Sequence, residues 1–515
     1  MKILYILFIC VCLTGCSAGI PITSNSIDIS IQSKPVAPIA PIGDANVTYF
    51  EKATLYLPMY SGGYLTNFET EIQYSLSRNR AETLMRNLLA FEGDGYIASL
   101  GGETKLSLYG KNPVEVSAGV ATVNLGATAL QLDKLDLYLA ASAICNTLCT
   151  LENINAVNIL VVDKPIGLDI ANTLPLGSLT ESTNVDLQGF FQQKIATYSP
   201  ENNTENKAYA TNVTLYYPIK IADGIMSEVK TIVFESLSIS DMCITILKEL
   251  SKGNNGNFYS PELPMLADML DSPPELIANS KQGGVELKLK FSYALDSMLE
   301  AYEISRAESM ASLTYTLCTF FPNLSGIEVW IGDTRVDSVL VNSNFQSGIH
   351  FPNGSMHRVD FSTLLLDLAE LTFATKEDFG LITVFRAMPY QYVTNPRKLM
   401  MEWVKGPNEY EKQQGAMPLI PSNALFDDDI LGISLEDNAL IINFAPQINS
   451  ISFPYFDITE QQFVYSMVNT LCKLSRVKQV YFFVSGQQIE GFSKDTEKNL
   501  QKNLQWKGYF LPIPL

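Results

Sequence analysis

The feature that most constrains this chain is a tripeptide, Thr-Leu-Cys, that occurs three times in the same surroundings. It stands at Thr147-Leu148-Cys149, Thr316-Leu317-Cys318 and Thr470-Leu471-Cys472, each followed by a β-like run at 157–161, 327–331 and 480–484. Before each lies a trio spaced by three and four: Ala141, Ile144, Leu148; Met310, Leu313, Leu317; Val464, Met467, Leu471. Those offsets put each trio on one helix face. Earlier still come β-like segments at 120–125, 285–289 and 439–444, preceded by short helix candidates at 83–89, 242–250 and 398–404. Two copies open alike, Thr54-Leu55-Tyr56-Leu57-Pro58 and Thr214-Leu215-Tyr216-Tyr217-Pro218, and the third with Ile382-Thr383-Val384-Phe385. The copy ends at 174–179, 351–356 and 511–515 also match. Landmarks in one shared order mark an internal repeat.

Each copy reads strand, helix, hairpin strands, helix, strand, with the hairpin clearest at Val114-Glu115-Val116 and its Ser117-Ala118-Gly119 turn. A small mixed sheet with one apolar face under two amphipathic helices is a two-layer α+β unit. The expectation is three tandem α+β domains, at 49–180, 209–357 and 379–515, each long enough to bury its own core. A polar linker at 199–206 separates the first two, and a second is expected at about 358–380. Leu148, Leu317 and Leu471 would be repeat core, as would Cys149, Cys318 and Cys472, small residues following the last apolar position. Trp330, Tyr481 and Phe483 fall at the outward parity of the final strands, which suits an interface. Packing beneath the following loop is the other reading of the same parity.

The start of the chain sets the compartment. Met1-Lys2 is a short positive region, residues 3–13 are apolar but too short to span comfortably, and Leu13-Thr14-Gly15-Cys16 follows. This is the pattern of an export signal over 1–15. The ending resembles a bacterial lipobox, which implies cleavage before Cys16 and acylation of its thiol, so that the chain sits on the outer face of the cell membrane by a lipid anchor. Several acyl chains together hold a protein stably on a bilayer. No later run of about 18 apolar residues predicts a spanning helix. Residues 16–48, with Pro35, Pro38 and Pro41, read as a flexible tether.

Composition removes whole classes of function. A formal net charge of -19 leaves no basic footprint for nucleic acid. Two histidines give little material for His-based catalysis or metal binding. There is no Gly-x-Ser-x-Gly elbow, His-Glu-x-x-His helix or Walker loop, so no catalytic residue is assigned, and no cofactor. His350 and His357 read as loop histidines, not a metal pair, and neither has a counterpart in the other copies. Cys145 and Cys149 at i, i+4 read as core packing, since no second pair completes a metal site. Asp427-Asp428-Asp429 lacks the glycine and terminal Glu of a calcium loop and reads as a solvated turn.

The landmarks resemble the GerMN domain of bacterial sporulation and spore germination proteins. The resemblance rests on Val213-Thr214-Leu215-Tyr216-Tyr217-Pro218, Trp403-Val404-Lys405-Gly406-Pro407 and Gly119-Val120-Ala121-Thr122-Val123-Asn124-Leu125. Asn146-Thr147-Leu148 and Asn469-Thr470-Leu471 extend it. In copy two Tyr315 replaces the Asn, and copy three lacks the Tyr-x-Pro opening. The resemblance implies a ring-building-motif-like fold and a non-enzymatic role in envelope assembly. The partners it implies are envelope or sporulation-complex proteins or a second copy. The competing reading is an envelope lipoprotein that captures peptidoglycan fragments or a small molecule between copies. An envelope hydrolase is the third, and the copies share no polar cluster to support it.

Overall fold

The computed structural model describes residues 38–169, 172–181, 209–254, 256, 258–259, 263–279, 284–342, 345–375, 380–453, 455 and 457–489. The signal, Cys16, the 199–206 linker and the 511–515 end lie outside them. Strand β1 (Gly43–Asn46) comes first. Copy one follows as β2 (Thr48–Pro58), β3 (Leu65–Ser75), α1 (Arg80–Ala90), β4 (Val114–Ser117), β5 (Val120–Leu125), α2 (Lys134–Leu148), β6 (Ala156–Val161) and β7 (Lys164–Pro165). Copy two begins β8 (Tyr209–Pro218), β9 (Ile225–Phe234), α3 (Ile239–Ser251), β10 (Glu275–Asn279), β11 (Gly284–Phe291) and α4 (Leu295–Ala301). It continues with α5 (Arg306–Phe320), β12 (Leu324–Ile331), β13 (Thr334–Arg335), β14 (Ser338–Asn342), β15 (Phe345–His350) and β16 (Ser355–Met356). Copy three begins β17 (Leu366–Ala374), β18 (Leu381–Pro389), α6 (Tyr390–Val393), α7 (Pro396–Val404) and α8 (Glu409–Gln413). Strands β19 (Ile430–Glu436) and β20 (Ala439–Phe444), helix α9 (Glu460–Leu471), and strands β21 (Gln479–Val484) and β22 (Gln487–Gln488) complete it.

The expected α+β order recurs three times, with one addition: every copy opens with a two-stranded hairpin, not a single strand. In copy three this moves the boundary. The opening strand is β17, and Ile382 to Phe385 lie in its partner β18. The stretch expected to be a linker at 358–380 instead contains a 3-10 turn (Arg358–Phe361) and β17, so the copy begins before residue 379. The strand is hard to read because Asp367 and Glu370 interrupt its apolar pattern, while Ala369, Leu371 and Phe373 are buried.

In each sheet the middle strand pairs antiparallel on one side and parallel on the other. Strand β5 pairs with β4 and, in parallel register, with β6; β11 and β12 repeat this, as do β20 and β21. A parallel pair needs a crossover, and the long helix of each copy supplies it. Helix starts are capped by Asp133, by Ser305 with Glu308, and by Thr459 with Gln462.

The crossover helix lies between its sheet and its hairpin. It is therefore buried around its circumference: residues 137–148 of α2 and 307–320 of α5 are all shielded from solvent. The single apolar face expected from the trios is only half of the contact surface. The hairpin contact also explains the threonine of the repeated tripeptide. In a two-stranded hairpin alternate backbone N–H groups point away from the partner strand and need an acceptor. The Tyr56 N–H donates to Thr147 Oγ1 at 2.9 Å, the Tyr216 N–H to Thr316 Oγ1 at 3.0 Å, and the Thr372 N–H to Thr470 Oγ1 at 2.9 Å.

The copies do not keep separate cores. One buried apolar cluster runs through all three, from Val47 to Val484. Polar ties cross the junctions. Arg358, buried at the end of copy two, pairs with Glu115 of copy one and lies 4.3 Å from the centre of the Tyr315 ring. Ser117 donates to the Leu366 carbonyl at 2.6 Å. The end of the expected tether is ordered as well. Strand β1 pairs in parallel with β19 of copy three, Asp44 receives two hydrogen bonds from Arg397, and Asn443 Nδ2 donates to the Pro41 carbonyl at 3.0 Å. No helix among the described residues is long and apolar enough to cross a membrane.

Candidate interaction surface

The expected core residues divide. Leu148, Leu317 and Leu471 are fully buried, and Cys318 is 1% exposed. Cys149 and Cys472 are only half-buried, because they stand at the helix C-caps where the chain turns toward the surface. Of the three expected interface aromatics, Phe483 is a correction: it is 4% exposed and cannot offer a surface. Tyr481 is half-buried. Trp330 is half-buried on the outward face of β12, where its Nε1 donates to Glu328 at 2.7 Å and Lys288 Nζ lies 5.6 Å from its ring centre. Cys16 is outside the described residues.

The difference between Trp330 and Phe483 follows from what covers each sheet. The three sheets are aligned by one contact, which fixes the turn after the last strand. Asn124 Nδ2 donates to Asp163 at 2.6 Å, Lys290 Nζ to Asp333 at 3.1 Å, and the Gly486 N–H to Asn443 Oδ1 at 3.1 Å. By this alignment Leu160, Trp330 and Phe483 are equivalent, as are Thr122, Lys288 and Ile441, and Asn158, Glu328 and Tyr481. In copy one the outward face is buried, and the hairpin of copy two lies over Thr122 and Asn158. Asn158 Nδ2 donates to Thr214 at 3.0 Å, Ser178 and Thr214 share a hydrogen bond of 2.7 Å, and the Tyr216 hydroxyl meets Thr122 at 3.4 Å. In copy three Ile441 and Phe483 are likewise buried. In copy two the same face is half-open, carrying Lys288, Lys290, Glu328 and Trp330. Among the described residues Lys288 makes no ion pair.

The hairpins show the same asymmetry. Hairpin two is seated on sheet one, and one end of hairpin three packs Leu366 and Ala387 against Ile219, Ile221 and Met226. Hairpin one leaves its outward face open, with Phe50 60% exposed and Lys52, Asn67, Glu69, Glu71 and Gln73 beside it. Sequence parity points to Trp330. It does not point to Lys288, Thr54 or Tyr56, whose exposure depends on which copy covers which.

Among the described residues no three His, Cys, Asp or Glu side chains gather as a metal site. His350 is exposed; His357 is held by Ser355 and Asp360, and the hydrogen bond to Asp360 raises its pKa. Asp427–Asp429 form a short 3-10 turn, with Arg397 donating to the Asp427 carbonyl at 2.8 Å. Cys145 and Cys149 lie 3.9 Å apart through sulfur, and that hydrogen bond lowers the Cys149 thiol. A cleft of about 290 Å³ opens between copies one and three beside Arg80, Glu152, Asp367, Tyr390 and Lys473. Burial pushes the Asp367 carboxyl up to about 6, against the Ala118 and Leu368 N–H groups that donate to it.

Residues 54–167 and 371–490 match the Germane family, described by sporulation and spore germination. These two segments of the chain are similar to that family. They coincide with copies one and three, and the second starts within β17, ahead of the boundary expected from sequence. The middle copy lies between them and has the same hairpin, crossover helix and threonine contact. Among solved structures, the tandem GerMN domains of the sporulation protein GerM from Bacillus subtilis are 16% identical, covering 60% of this chain and 99% of that one, at a TM-score of 0.22. The first GerMN domain of that protein is 17% identical over 25% of this chain and 89% of its own, at 0.18. These superpositions are loose, and the family likeness rests on the sequence match of the two segments. Comparison with curated proteins gave no match.

Proposed function

We propose that this protein is a lipid-anchored envelope lipoprotein that works without catalysis, through protein contacts in an assembly of sporulation or germination. The observation that carries the reading is the nature of what recurs. The residues shared by all copies are packing and backbone-anchoring residues, Leu148, Leu317 and Leu471 with Thr147, Thr316 and Thr470. No polar cluster recurs with them among the described residues. The Leu-Thr-Gly-Cys ending at Cys16 supports the anchor. The cleft beside Tyr390 and Lys473 favours a second reading, capture of a peptidoglycan fragment.

The test is metabolic labelling of sporulating cells with an alkyne fatty acid, followed by a membrane-impermeant amine cross-linker and mass spectrometry. Label that disappears in Cys16→Ser, with cross-links to envelope proteins, is the expected result. Absence of label and cross-links, with muropeptide binding by calorimetry, contradicts it.

A further inference from the structure

The three copies contain one hairpin-on-sheet contact that is filled, and the two halves of the same contact left open. Hairpin two covers sheet one. Hairpin one leaves the corresponding face open, and sheet two leaves it half-open. We propose that hairpin one of one molecule docks on the outward face of sheet two of a second copy, in a head-to-tail contact. The proposal rests on the assembly reading above and names its partner.

The filled contact predicts which residues meet. Tyr216 and Tyr56 are equivalent, since the N–H of each is held by the threonine of its own crossover helix. Thr214 and Thr54 stand two residues before them. On the sheets, Thr122 opposite Asn158 in register corresponds to Lys288 opposite Glu328. The contact of Tyr216 with Thr122 therefore becomes Tyr56 with Lys288, and that of Thr214 with Asn158 becomes Thr54 with Glu328. Both transposed pairs are chemically matched. The Tyr56 hydroxyl can accept from the Lys288 ammonium, and the Thr54 hydroxyl can donate to the Glu328 carboxylate. Next to Thr54 and Lys52 in register, Glu69 and Glu71 bring negative charge toward Lys288, which has no ion pair among the described residues. Phe50 and Trp330 add an exposed and a half-exposed aromatic to the two faces.

A contact between two different patches of the same chain is heterologous, so it propagates into a ring or a filament instead of stopping at a pair. The net charge of -19 opposes close approach in solution. Anchoring on a membrane raises the effective concentration that overcomes it.

The test uses the full-length protein on vesicles of phosphatidylethanolamine and phosphatidylglycerol, half labelled with a donor dye and half with an acceptor, with energy transfer followed against surface density. Tyr56→Lys places like charges across the contact, and Lys288→Glu faces Glu69 and Glu71. Each raises the density for half-maximal association by about tenfold, and the double variant returns to within about threefold of the unmodified protein. Melting temperatures of the variants separate lost contact from lost fold. Association that is unchanged by either substitution overturns this surface while leaving protein contacts as the function. Absence of transfer at every density overturns self-docking, and the cross-linking test above then decides the assembly reading on its own.

Discussion

Thr316 offers the sharpest test of why the tripeptide recurs. It is fully buried, as is the backbone of Tyr216 whose N–H it accepts at 3.0 Å. Thr316→Val keeps the shape and removes only the acceptor. A buried donor left without a partner costs about 1–3 kcal/mol, so a loss of about 2 kcal/mol is expected. Thr316→Ser keeps the acceptor and removes one methyl, which costs about 1 kcal/mol. Hydroxyl loss must therefore outweigh methyl loss. Urea denaturation at pH 7 measures both, as shifts in midpoint at constant slope. Because one apolar cluster joins the three copies, a single transition is expected. Thr316→Val as stable as the unmodified protein, or more stable than Thr316→Ser, would refute the anchoring role.

Three further predictions follow from the junctions and thiols. Arg358→Met leaves Glu115 without its cation and costs about 3–5 kcal/mol in urea denaturation, with part of the loss recovered by adding Glu115→Gln. Asp367 has a raised carboxyl pKa in the folded state, so its contribution is fully present below about pH 4 and is lost as pH rises through about 6. Asp367→Asn keeps the acceptor for Ala118 and Leu368, and so raises stability at pH 7 by at most about 3 kcal/mol and leaves it unchanged near pH 4. Cys149, half-buried and with a lowered thiol pKa, reacts with maleimide in the native protein well before Cys318, whose burial pushes its thiol up to about 12. Peptide mass spectrometry after brief labelling reads the order.

The crossover helices and their following strands were legible because their apolar spacing is dense and repeats three times. Strands β5 and β20 end at the residues the pattern marks. What escaped was set by contacts between distant parts of the chain. Strand β17 reads as linker in the sequence because Asp367 and Glu370 break its alternation; Asp367 instead receives an N–H from copy one, and Glu370 pairs with Lys473 at 2.6 Å. The tether was expected to be free through residue 48, but Asp44 is gripped by Arg397, far along the chain. The outward aromatics illustrate the same limit. Trp330 and Phe483 have identical parity, yet one is half-open and the other buried, a difference that strand alternation does not encode. The repeated threonine is visible in the sequence, but its role depends on the hairpin strand it anchors, which the tripeptide does not reveal.

The most direct measurement of the central claim is the position of an epitope-tagged copy through a sporulation cycle. The unmodified protein should appear in the envelope fraction during sporulation or germination, and Cys16→Ser should move it to the soluble fraction. Uniform presence throughout growing cells, with no effect of Cys16→Ser, would contradict an anchored role in that developmental assembly.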